Sequence, residues 1–319
     1  MSKDKAQVEP TQHRFFSLLP QTHIPFMKYR KIAYAFSLVF FLATVGWLVA
    51  KGPRYSVDFT GGTLMQVQTS RALPADDVRH VLDELGFRGA ELQAAGTGEE
   101  LLIRLPQQEK QDPYPRFAAA LTARFPDANP QLRREEAVGP RIGEELRSKA
   151  IWAVLFSLAG ILVYVGLRYE FKFAFGAVVA LFHDVFAAFG ILLFMQREIS
   201  LTVVAALLTL AGYSINDTIV VFDRIKERGK QLHKLSHEDV MNTAMNETLS
   251  RTLITSVTVF LATLALYVWG GEVINDFALC MLAGVIFGTY SSIYVASALA
   301  LDTWLWLDRR KATARKQAA

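Results

Sequence analysis

The chain has 319 residues, 52% of them apolar, with 34 Lys+Arg against 30 Asp+Glu and a formal net charge of +4; its mean hydropathy is +0.23. These averages sit near those of soluble proteins, but the charge is unevenly spread. Region 51–149 carries both signs throughout, and several later stretches run for about twenty residues with almost none. That pattern excludes a disordered chain or a collagen-like fibre and describes a membrane protein with one solvated domain. The single cysteine, Cys280, cannot close an internal disulfide and lacks the companions of a structural zinc site.

A helix needs about 20 apolar residues to cross a hydrocarbon core, and six segments qualify: 32–50, 150–167, 173–195, 199–222, 252–269 and 277–301. Only Gln196, Arg197 and Glu198 separate the third from the fourth, so these two form a tight antiparallel hairpin. The first span lacks a small-residue cleavage pattern after it and reads as a retained anchor.

Lys and Arg in short loops set orientation. Lys3, Lys5, Arg14, Lys28, Arg30 and Lys31 precede the first span, and Arg168 and Lys172 join the second to the third. Arg224, Lys226, Arg228, Lys230, Lys234 and Arg251 lie between the fourth and fifth, and Arg309, Arg310, Lys311, Arg315 and Lys316 follow the sixth. The opposite loops offer only Arg197 and, at 270–276, no base at all. Both termini are therefore expected in the cytoplasm, with 51–149 outside it. The expected organisation is a cytoplasmic segment 1–31, span 32–50, an extracytoplasmic domain 51–149, spans within 150–222, a cytoplasmic amphipathic loop 223–251, spans within 252–307, and a basic cytoplasmic tail 308–319.

Within the domain, 55–69 reads as a strand interrupted by Gly61 and Gly62, and Val78, Val81, Leu82 and Leu85 give 75–85 a helical period that Gly86 stops. Short strands at 90–95 and 101–105 flank a turn at Gly96-Thr97-Gly98; a helix at 114–125 and a strand at Gln131–Val138 follow. The order βαββαβ is the ferredoxin-like arrangement. The glycine pair marks either a bulge in the first strand or a close backbone approach, and reads as a structural bulge or as a substrate contact.

Ionisable residues inside the spans are few: His183 and Asp184 in the third, and Asp217, beside Asn216, in the fourth. A charge at the bilayer centre costs at least about 2.5–3.5 kcal/mol, so such residues face a partner or a wet cavity. Asp184 is deepest, and reads equally as a carboxyl bonding a neighbouring helix or as part of a proton relay. Adjacent helical residues point about 100° apart, so His183 need not share its site. Asp217 lies roughly 8 Å from the cytoplasmic end of its span, and Arg251 starts the next span near that face. A pair between them would either hold a proton-exchanging carboxylate or simply fix helix register.

In the following loop, Ser236 and Asp239 resemble a capping box, and Val240, Met241, Ala244, Met245 and Leu249 recur at helical spacing. An amphipathic helix on the inner leaflet is the natural reading. Gly284 and Gly288 would allow close helix approach in the last span. A phosphate-binding loop, a His-Glu-x-x-His zinc signature and a Gly-x-Ser-x-Gly nucleophile turn are all missing, so any driving energy comes from an ion gradient or a partner.

Several stretches resemble signatures of the SecF family of membrane proteins. They are Val57-Asp58-Phe59-Thr60-Gly61-Gly62 after the first span, Val138-Gly139-Pro140-Arg141-Ile142-Gly143-Glu144-Glu145-Leu146 before the second, and Ala180-Leu181-Phe182-His183-Asp184-Val185 in the third. The most specific runs from Gly212 through Tyr213-Ser214-Ile215-Asn216-Asp217-Thr218 to Ile225. Val57 and Lys226 depart from the common pattern. The resemblance covers about residues 30–308, and the family is similar to one half of an RND-type transporter, with six transmembrane helices and a domain between the first two.

The resemblance implies a SecD partner half, association with the SecYEG channel and SecA, and use of the proton motive force to complete export of unfolded preproteins. It implies Asp217 as the proton-carrying carboxylate with Arg251 as companion, and no enzyme activity, cofactor, metal or nucleic-acid partner. Three other readings are an RND-like half-transporter for lipids or small molecules, an intramembrane aspartyl protease using Asp184 and Asp217, and a passive scaffold stabilising the channel.

Overall fold

A computed structural model describes residues 22–87, 89–95, 98–106, 112–232 and 235–318. Lys3, Lys5, Arg14, Lys234, Gly96 and Thr97 lie outside the described residues, as do the side chains of Arg315 and Lys316.

A 3₁₀ turn (Phe26–Tyr29) leads into α1 (Arg30–Lys51). The next segment corrects the expectation of one long strand over 55–69. It forms β1 (Arg54–Tyr55), a single helical turn α2 (Val57–Thr60) and then β2 (Gly62–Gln68). Ser56 caps α2, its Oγ accepting from the Asp58 N–H at 3.2 Å. Gly61 (φ +73°) and Gly62 (φ +123°) carry the chain from helix to strand through a left-handed conformation that side chains rarely adopt. The irregularity in β2 lies elsewhere, between Gln66 and Val67. Val57 and Thr60, β-branched residues typical of strands, sit in the helical turn because the cap and the glycines determine the local backbone.

The α+β unit continues with α3 (Ala75–Glu84), β3 (Glu91–Ala95), β4 (Glu100–Leu105), α4 (Pro113–Arg124) and β5 (Gln131–Val138). Its sheet has the order β3-β4-β2-β5 with antiparallel neighbours, the ferredoxin-like topology. Period-two alternation sends Met65, Val67, Leu101 and Ile103 to one face, where Val78, Leu82, Phe117 and Leu121 of the two helices cover them. The other face looks toward the helical bundle across a cavity of about 930 Å³, lined by Leu64, Gln66, Leu102 and Arg134 among others.

The bundle adds α5 (Pro140–Arg168), α6 (Phe171–Phe194), a two-residue strand β6 (Glu198–Ile199), α7 (Leu201–Gln231) and α8 (His237–Trp269). The last helix runs as α9 (Glu272–Ser291), a π-helical turn (Ser292–Ala296) and α10 (Ser297–Ala318). Among the described residues, six helices are long and apolar enough to cross a membrane. The chain is a multi-pass membrane protein. α6, α7 and the last helix form the buried centre, while α1, α5 and α8 leave most of their apolar surface facing outward.

The separate surface helix expected before the fifth span is not separate. Ser236 caps α8, its Oγ accepting from the Asp239 N–H at 3.1 Å, and the helix then continues to Trp269 without a break. No Gly or Pro interrupts 237–269, and extending an existing helix costs far less than starting one. Met241, Ala244, Met245 and Leu249 are buried against protein, in a cluster with Phe26, Met27, Phe222 and Ile225. For the same reason the basic tail prolongs the last helix.

Candidate functional site

Asp184, at the middle of α6, is fully buried. Its Oδ2 accepts from Ser214 Oγ on α7 at 2.5 Å and from Ser291 Oγ on α9 at 2.6 Å. Its Oδ1 lies 2.9 Å from His183 Nδ1. The two neighbours thus share one site after all, because both side chains swing toward each other across the helix surface. Gly288 lines the site with ordinary spacing: a Cβ there would sit 3.6 Å from both Asp184 Oδ2 and Ser214 Cβ. The His183 ring lies against Phe287 and Tyr290, with Nε2 buried and unpartnered.

Asp217 is one turn further along α7 and only 4% exposed. Its Oδ2 receives a long 3.5 Å hydrogen bond from Ser256 Oγ on α8. Ser256 Oγ in turn accepts from Thr289 Oγ1 on α9 at 2.7 Å and from the Tyr213 hydroxyl at 3.4 Å. Hydroxyls from α7, α8 and α9 therefore converge beside the carboxylate.

Arg251, the expected companion, is exposed and forms no ion pair with Asp217 within 4.0 Å. It lies one helical turn before Thr255, which also hydrogen-bonds Asp217, so its charge acts on the carboxylate at longer range without a direct ion pair. Asp184 and Asp217 likewise hold different hydroxyls, which is not the facing carboxylate pair of an aspartyl protease.

The fourth-span motif divides by helical period. Ser214, Asp217, Thr218 and Val221 turn into the bundle, while Gly212 and Asn216 face outward one turn apart. A Cβ on Gly212 would meet nothing within 4 Å. Asp58, Gly61 and Gly62 sit at the other end of α7. Asp58 Oδ2 accepts from the Leu201 N–H at 2.9 Å, at the start of the helix that carries Asp217. Gly61 and Gly143 pack backbone to backbone; a Cβ on Gly61 would lie 2.8 Å from Pro140 Cα.

The hydroxyl partners Ser214, Ser256, Thr289 and Ser291 were missed by attention to ionisable residues alone. No local signal separates them from hydroxyls that simply bond their own helix, as Thr263 Oγ1 does to the Val259 carbonyl at 2.8 Å.

Residues 118–306 match the family model "Protein export membrane protein SecD/SecF, C-terminal", and residues 46–72 match the "SecD/SecF GG Motif". The chain is 39% identical over 287 residues to the protein translocase subunit SecF of Haemophilus influenzae, covering 90% of this chain and 88% of that one. It is 42% identical over 290 residues to the SecF of Vibrio alginolyticus, covering 90% and 92%. It is also similar to the crystal structure of SecDF, a translocon-associated membrane protein from Thermus thermophilus, with a TM-score of 0.81 and 38% identity. That match covers 92% of this chain and 40% of the SecDF chain. SecDF in a super-membrane-facing form matches with a TM-score of 0.69 and 39% identity, over 94% and 41% of the two chains.

Proposed function

The chain belongs to the SecD/SecF family of protein export membrane proteins, and from that membership we propose that it is a subunit of the Sec preprotein translocase. It works with SecD and uses the proton motive force to promote late-stage export of unfolded proteins through SecYEG, after SecA. The chain spans about two fifths of the solved SecDF polypeptide, and a separate SecD half is the counterpart of the remainder. The loop charges support cytoplasmic termini and an extracytoplasmic α+β domain. The outward face of α7, with Gly212 and Asn216, and the exposed Arg251 suit contact with that partner half.

The observation that carries the mechanism is the contrast between two buried carboxylates. Asp184 is committed: three side chains on three helices hold it, and any change there breaks several close bonds. Asp217 is held more loosely, by the long 3.5 Å contact from Ser256 and a hydrogen bond from Thr255 with the Arg251 charge nearby, and the hydroxyls around it donate or accept by rotation. A carboxylate so placed exchanges a proton with the least disturbance to its neighbours. Ionised, it places a charge between α7 and α8; protonated, it removes that charge, and the balance between two helix packings shifts. Protons moving down their gradient then drive the cycle of the α+β domain against the exported chain.

The deciding experiment is export by SecDF-containing proteoliposomes with and without an imposed proton gradient. Asp217→Asn is expected to remove the gradient-dependent component and leave SecA-driven export. Unchanged gradient dependence in that variant would assign the subunit a passive, bracing role instead.

A further inference from the structure

Segment 54–62, between the first span and the sheet of the α+β domain, is attached to the α6–α7 hairpin by several independent contacts. β1 pairs in parallel with β6, with Arg54 opposite Glu198 and Tyr55 opposite Ile199, and the Ser56 N–H extends the pairing to the Ile199 carbonyl at 3.0 Å. Arg104 of β4 joins both strands: it forms an ion pair with Glu198, and its Nη1 donates to the Tyr55 carbonyl at 2.9 Å.

Asp58 then accepts from the first backbone N–H of α7, at Leu201, at 2.9 Å. The free N–H groups at a helix start favour a carboxylate. Ser200, the residue's own local cap, takes the Val203 N–H, so the two caps serve different donors on the same helix end. Phe59 is 7% exposed and packs in one cluster with Ala188, Leu192, Val203, Ala206 and Leu210 of the bundle. On the other side, Gly61 and Gly143 leave no space between α2 and the start of α5: a Cβ on Gly143 would lie 2.9 Å from the Gly61 nitrogen.

We propose that residues 54–62 form a rigid coupling that joins the α+β domain and the α6–α7 hairpin into one mechanical body, with Asp58 as the positioning residue that fixes the axial placement of α7. Strand pairing resists sliding along β6, the Asp58 cap resists withdrawal from the helix end, and the Phe59 plug resists tilting. A hinge needs at least one of these to be loose, and all three are closed. Because α7 carries Asp217 about 24 Å below the cap by helical rise, any axial or rotational shift of α7 at the proton site moves the domain by the same rigid displacement. This coupling rests on the proton-driven reading above, and it makes the glycine-containing motif a mechanical joint and not a substrate contact.

The test uses the full SecDF complex in proteoliposomes. Spin labels on Asp83→Cys, on α3 of the domain, and Met195→Cys, at the end of α6, in a Cys280→Ala background report the distance across the joint. The expected result is one narrow distance distribution that is the same with and without a proton gradient, in a sample that retains gradient-dependent export. A distribution that shifts with the gradient overturns the rigid coupling. Asp58→Ala is expected to broaden the distribution and to lose gradient-dependent export, and Asp58→Asn, which keeps an oxygen acceptor for the Leu201 N–H, restores both. Full gradient-dependent export in Asp58→Ala with a broadened distance overturns the role of the joint in transmission. Asp217→Asn separates the two readings: retained gradient dependence there removes the proton mechanism, while the wild-type distance measurement still decides whether the joint is rigid.

Discussion

Asp184 on α6 and Ser291 on α9 are joined at 2.6 Å at the residue after which the last helix widens into its π-helical turn. A π turn departs from the α-helical hydrogen-bond ladder and is frequent at functional positions. Here Ser297 Oγ donates to the Ser292 carbonyl at 2.8 Å, and Gly176 of α6 packs on the Ala296 carbonyl. The carboxylate therefore clamps three helices just where one of them departs from regular geometry, a structural role distinct from the proton carriage proposed for Asp217.

Asp184→Ala leaves the buried Ser214 hydroxyl without its carboxylate acceptor, an unpaired group costing about 1–3 kcal/mol, and removes the partner of His183 Nδ1, while Ser291 keeps only the Gly288 carbonyl. Thermal unfolding in detergent is expected to fall markedly for Asp184→Ala and less for Asp184→Asn, which keeps one oxygen acceptor. Equal melting of both variants and the wild type would remove the clamp.

Two glycines facing neighbouring helices respond differently to one added methyl group. A Cβ on Gly176 would lie 2.5 Å from the Ala296 carbonyl oxygen, a backbone atom, whereas one on Gly288 makes ordinary 3.6 Å contacts. Gly176→Ala is expected to destabilise by about 1–3 kcal/mol through overpacking, and Gly288→Ala to melt close to the wild type. Melting temperatures of the two purified variants check this.

Gly62 and Gly212 contrast a folding position with a surface position. Gly62 has φ +123°, and a Cβ there would lie 2.3 Å from the Leu105 carbonyl oxygen, so Gly62→Ala is expected to disrupt the sheet and lower the yield of folded protein. Gly212→Leu meets empty space within the subunit and is expected to leave its melting unchanged while weakening co-purification with SecD. Intact co-purification would place the SecD contact on another face.

Arg251→Ala removes no ion pair to Asp217, and an exposed substitution of this kind changes stability by less than about 0.5 kcal/mol. The isolated subunit should melt as the wild type, while export by the assembled complex under a proton gradient falls. A large loss of subunit stability would contradict the outward placement of Arg251.

The spans, the hairpin between the third and fourth helices, the βαββαβ order and the inward placement of Asp184 and Asp217 were all readable from the chain. Each depends on local quantities: hydropathy over about 20 residues, period-two or helical spacing, and the cost of charge in lipid. Even the fourth-span motif, from Gly212 to Ile225, divides correctly into inward and outward faces once the helical period is applied.

What tertiary structure alone decided was which side chains meet. β1 exists because Glu198 and Ile199, far along the chain, present a strand edge to it, so no local pattern could place a strand at 54–55, although the helical turn that follows has its local signals in Ser56 and the glycine pair. Arg251 and Asp217 interact electrostatically without a direct ion pair, and the separation between two helices is set by packing, not by sequence distance. Ser214, Ser256 and Ser291 become partners of carboxylates only because Gly176 and the π turn let the helices approach at particular rotations. Local composition determines how far an element runs and which face is oily; the pairing of polar groups across elements is a property of the packed arrangement, where a rotation of one helix by a single residue would exchange every partner.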